Sequence, residues 1–137
     1  MQTGDMLALR GVRKAFGGSA VAAREMTVEL GGARFIVTPA DTDAARELAA
    51  RLAIELDMAE LNGNEKYAYL DDPLPVAAES PERIEAGDVM LFGDDCLVLF
   101  YEGHRTSYRY TRIGRIEDAS GLSAAVGGGS VHATWSL

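Results

Sequence analysis

The chain predicts a mainly β fold, a small closed barrel that carries one main and one short α-helix. Three observations predict it. Short runs along the sequence alternate apolar and polar side chains, the period of a half-buried strand. Glycine, asparagine and aspartate clusters separate these runs and mark turns. One long stretch keeps the helical period instead. Many short strands between turns favour a sheet that closes on itself, because closure removes exposed edges.

The first alternating run is Met26, Val28 and Leu30, set against Thr27 and Glu29. Gly31-Gly32 supplies the positive φ angles of a two-residue hairpin turn, and Arg34 to Thr38 returns as the partner strand. Pro39 stops the ladder, and Asp41 or Thr42 is placed to cap a helix. In that helix Ala45, Leu48, Ala49 and Leu52 share a face, while Glu47 and Arg51 form an i,i+4 pair outside. Alternation returns at Ile54, Leu56 and Met58. Asn62-Gly63-Asn64 predicts a turn, and Lys66 to Leu70 a strand. The segment from Asp71 to Arg83, with Pro73, Pro75 and Pro81, reads as a long loop. Val89–Phe92 and Cys96–Tyr101 flank the turn Gly93-Asp94-Asp95, and the second of these strands is apolar throughout, as if covered on both faces. Arg112 to Ile116 is a further strand. Ser120 to Val126 is a short helix closed by Gly127, and Val131, Ala133 and Trp135 mark the inner side of a last strand.

At 137 residues the chain fits one domain with a single core. Its net charge of -8 opposes bulk attraction to nucleic acid or to an anionic membrane. No apolar run approaches a membrane span, and Arg10, Arg13 and Lys14 interrupt any signal-peptide core, so the expected location is the cytoplasm. Cys96 is the single cysteine and heads an apolar run, which predicts a buried, inert thiol. His104 and His132 are separated in sequence and lack clustered partners, so neither a metal nor a cofactor is expected. Residues 1–25 hold a small basic surplus in an otherwise acidic chain, followed internally by the flexible joint Gly17-Gly18-Ser19.

Four blocks carry a family resemblance: Asn62-Gly-Asn-Glu-Lys-Tyr67, Glu85-Ala-Gly-Asp88, Leu97-Val-Leu-Phe-Tyr101 and Tyr110-Thr-Arg-Ile-Gly114. Together they resemble the bacterial cyclophilin-like fold proteins, small barrels whose biochemical role is largely unassigned. The resemblance implies a cyclophilin-like domain over residues 24–137, with residues 1–23 as an N-terminal extension. True cyclophilins are prolyl isomerases on a related barrel, with an arginine, a glutamine and aromatic residues in a Phe-x-x-Gln-Gly-Gly-Asp-Phe context. That context is absent, and the single glutamine, Gln2, lies in the extension.

The segment Gly103 to Arg115 stands out chemically. It holds Arg105, Arg109, Arg112 and Arg115 without an acid, interleaved with His104, Tyr108 and Tyr110. Arginine forks recognise carboxylate or phosphate, and tyrosine faces stack on flat or cationic groups. If residues 108–112 are extended, Tyr108, Tyr110 and Arg112 share one face and wall a pocket. Tyr101 is expected beside them, with Asn62 and Lys66 on the opposite rim. A His104–Ser107 catalytic pair lacks a nucleophile elbow around the serine. The expected function is a non-catalytic binding domain for a small anionic or aromatic ligand or a peptide. A divergent prolyl isomerase and a structural module that forms homo-oligomers through the N-terminal arm are the alternatives.

Overall fold

The computed structural model describes residues 24–137, so the N-terminal extension and its proposed role in assembly lie outside the described residues. The order along the chain is β1 (Met26–Leu30), β2 (Ala33–Pro39), α1 (Asp43–Arg51), β3 (Ile54–Leu61), β4 (Glu65–Tyr69) and β5 (Arg83–Ile84). Then follow β6 (Asp88–Phe92), β7 (Cys96–Phe100), β8 (His104–Arg105), β9 (Thr111–Ile116), α2 (Leu122–Val126) and β10 (Val131–Ser136). Eight strands close an antiparallel barrel in the order β1-β10-β3-β4-β7-β6-β9-β2. The ring is completed by β1, which pairs with β2 on one side and β10 on the other, Val28 facing both Phe35 and Trp135.

Local chemistry explains the regular parts. Gly31 and Gly32 both take positive φ, as the tight β1–β2 turn requires. The Thr42 hydroxyl caps α1 by accepting from the Ala45 N–H at 3.1 Å and donates to the Arg112 carbonyl at 2.7 Å, tying the helix to β9. Glu47 and Arg51 pair at 3.0 Å on the helix exterior. Gly127 ends α2 with φ 70°.

Alternation sends Met26, Val28, Val37, Met58, Leu97, Leu99, Ile113 and Trp135 into the barrel interior. The two helices add Leu48 from α1, and Leu122 and Val126 from α2. Since α1 joins the end of β2 to β3 and α2 joins the end of antiparallel β9 to β10, they cover opposite mouths. A second apolar cluster lies outside the barrel: Met90, Cys96, Val98 and Phe100 on the outer faces of β6 and β7, with Ile84 and Tyr110 over them. Every residue of β7 is buried, as its continuous apolar sequence predicts.

The cover of that outer face departs from the sequence expectation. The loop expected through Arg83 ends in β5, which pairs with β8 as a separate two-stranded sheet, and Glu79 bridges to Tyr110. Two-residue strands carry no alternation to read. Their pairing is set by the apolar surface beneath them.

Candidate ligand-binding cleft

The outer covering leaves a gap of mixed chemistry. On β4 the period of two turns Lys66 and Ala68 inward and Glu65, Tyr67 and Tyr69 outward. On β7, antiparallel to it, Cys96 and Val98 face the same side. The segment His104–Tyr110 runs opposite as a second wall, and Phe92 at the end of β6 closes one side. Between them lies a cavity of about 500 Å³, with Asn62 and Asn64 of the β3–β4 turn at its edge.

Aromatic rings dominate the lining. Tyr67 and Tyr69 meet edge to face at 6.0 Å, and Phe92 and Tyr108 do so at 5.8 Å. Phe92 lies 5.7 Å from Tyr110, whose ring in turn stands perpendicular to Phe100 at 5.6 Å. These contacts hold Tyr110 in the second cluster, 4% exposed, while Tyr108 is 62% exposed at the rim.

Seven of the fifteen residues around the cleft are polar or charged, Glu65, His104 and Arg105 among them. Burial pushes the Glu65 carboxyl above the usual carboxylate range, against the opposing pull of His104. Burial likewise pushes the Cys96 thiol up to about 11, which keeps it protonated and inert at neutral pH. The Asn64 Oδ1 is buried without a hydrogen-bond partner among the described residues. Arg105 is exposed on the rim.

A protein-family model described as the cyclophilin-like family matches residues 28–136. The chain belongs to the cyclophilin-like family. Neither the curated proteins nor the solved structures yield a match.

Of the six residues expected at a site, this cyclophilin-like domain brings three together: Asn62, Tyr108 and Tyr110 line the cleft. Arg112 does not join them. It lines a separate groove with Thr38, Pro39 and Arg115, and its Nε lies 3.3 Å from the Glu79 carboxylate. Two of the four arginines of the Gly103–Arg115 segment, Arg112 and Arg115, pair with acids. Arg115 pairs with Asp88 at 2.8 Å, and Arg109 donates to the Ala78 carbonyl at 2.7 Å.

Lys66 and Tyr101 belong to the interior, which corrects the expectation of Lys66 on the pocket rim and of Tyr101 beside Tyr108 and Tyr110. Lys66 is 0% exposed. Its ammonium donates to Glu60 at 2.8 Å, to the Gly127 carbonyl at 2.9 Å and to the Gly129 carbonyl, and lies 5.3 Å from the Tyr101 ring centre. The Tyr101 hydroxyl donates to the same Glu60 oxygen at 2.7 Å. Burial and the Glu60 charge push that phenol up to about 12. Desolvation raises the Glu60 carboxyl, but the bonds from Lys66, Tyr101 and the Gly63 N–H outweigh it and hold the group below its usual range. The cluster ties the β3–β4 turn to the glycine-rich segment after α2.

Glu65, Tyr67, Tyr69 and Phe92 were not expected in the cleft. The shared face of Tyr67 and Tyr69 was readable from their spacing; that it is the outer face depends on which strands they pair with. On the far side of the barrel His132 is exposed and lies 2.7 Å from Asp57 and 2.8 Å from Glu55, a cross-strand cluster on β10 and β3.

Proposed function

We propose that this cyclophilin-like domain is a non-catalytic binding module whose outer cleft receives an aromatic or apolar group of a small ligand. The observation that carries this reading is the cavity of about 500 Å³ walled by tyrosines on two separate segments. Its size lies within the usual range for small-molecule pockets, and its lining combines aromatic rings with polar side chains that orient a ligand. Tyr110, packed on Phe100, supplies a rigid wall, and exposed Tyr108 is free to close over an occupant. The proposed setting is the cytoplasm, in keeping with a single cysteine and hence no internal disulfide.

Thermal unfolding with a panel of aromatic fragments tests the reading on the parent, Tyr108→Ala and Arg112→Ala. A binder at a hundred times its Kd should stabilise the parent by about 2.7 kcal/mol. Tyr108→Ala should lose most of that shift, whereas Arg112→Ala, altered in the other groove, should keep it. Equal shifts in the parent and Tyr108→Ala would remove the cleft from consideration.

A further inference from the structure

We propose that the cleft selects a cation: an ammonium or guanidinium group on an aromatic or aliphatic ligand, held against the Glu65 carboxylate and over the faces of the surrounding rings. The inference deepens the reading of the cleft as a binding site and rests on it.

Two acceptors on the cavity wall, the Glu65 carboxylate and the Asn64 Oδ1, are withdrawn from water and lack a protein partner among the described residues. Glu65 makes no hydrogen bond or ion pair through its side chain among the described residues, although it is half-buried. The Asn64 Oδ1 beside it is buried and equally bare. A carboxylate withdrawn from water without a counter-charge is unfavourable, and a bound cation relieves that cost. The rings point to the same ligand class. Perpendicular pairs such as Tyr67–Tyr69 and Phe92–Tyr108 turn their faces in different directions around a concavity, and the electron-rich face of an aromatic ring attracts a cation.

The cleft also carries His104 and Arg105, which would favour an anion. Solvation decides between the two signs. The Arg105 side chain stands in water, where an unpaired guanidinium is already well satisfied. Glu65 is half-buried in the cleft wall with no bonded partner among the described residues, so its charge is the one that a ligand changes most. Burial of its carboxyl, in a wall shared with Tyr67, Tyr69, Phe92, Tyr108 and Tyr110, sets the preference.

Three probes of matched size separate the possibilities: 2-phenylethylamine, 2-phenylethanol and 3-phenylpropionate, titrated into the full chain at neutral pH and followed by amide chemical shifts. The amine should bind at least tenfold tighter than the alcohol, and the carboxylate most weakly, with shifts at Glu65, Tyr67 and Tyr110. Glu65→Gln should bring the amine down to the level of the alcohol and leave the alcohol unchanged. The ranking of the three probes on the parent stands as a test even where the variant is poorly folded. An amine that binds no tighter than the alcohol, or a carboxylate that binds tightest, with shifts in the cleft, overturns the charge preference and leaves the binding site intact. Shifts at none of these residues with any probe overturn both.

Discussion

Lys66 is a fully buried cation whose three acceptors come from two distant parts of the chain. Its charge is compensated by Glu60, which keeps 23% of its side chain in solvent. Removing one partner of a buried pair leaves the other uncompensated, so Lys66→Met should cost about 3 kcal/mol in urea unfolding at pH 7. A loss below about 1 kcal/mol would show that the pair is energetically idle. The same variant should change the acid response. The folded-state Glu60 carboxyl titrates below its ordinary 4.5, so its contribution is complete above that value and disappears as pH falls through the depressed native value. Parent stability should therefore drop over that acid interval, and Lys66→Met should show a shallower drop. Lys66 also marks a limit of sequence reading. Its charge suggests solvent, and the pairing of β4 reverses that, turning Lys66 inward while Tyr67 and Tyr69 face the outer cleft.

Turns and helices respond to substitution according to what lies beside them. Gly31 and Gly32 share positive φ, yet a methyl group on Gly31 would collide with the Ala125 backbone of α2, whereas one on Gly32 meets open space. Gly32→Ala should cost about 1 kcal/mol from backbone strain alone. Gly31→Ala should cost at least 1 kcal/mol more, because α2 must move away from the β1–β2 turn. Chemical denaturation of the two variants checks the difference, and equal losses would mean that α2 yields freely. Elements of this kind were legible where a local rule specifies them. The Gly-Gly turn, the Thr42 cap, the apolar face of α1 and the alternation of β1 and β10 each depend on neighbours in sequence. The pair β5–β8 depends on residues twenty apart meeting over a surface that neither encodes. Tyr108 and Tyr110 were legible as a pair for the same reason that Arg112 was misplaced: spacing shows which residues share a strand face, and contacts with remote acids such as Glu79 decide which groove a long side chain joins.

The molecule as a whole is a ring in which β1 and β10 are neighbours, Thr27 opposite Ser136. Closure within residues 26–136 predicts that a fragment of residues 24–137 unfolds in one cooperative transition. A fragment of residues 24–129 lacks β10, loses Trp135 from the core and bares β1 and β3, and should show no such transition by circular dichroism or calorimetry. A cooperative melt from the shorter fragment would mean that seven strands suffice. Synthesis of the chain meets the same geometry in time. While a ribosome is still adding the final strand, β1 and β3 present bare backbone to the surrounding medium, so the nascent protein is most vulnerable to wrong partners just before its ring is sealed.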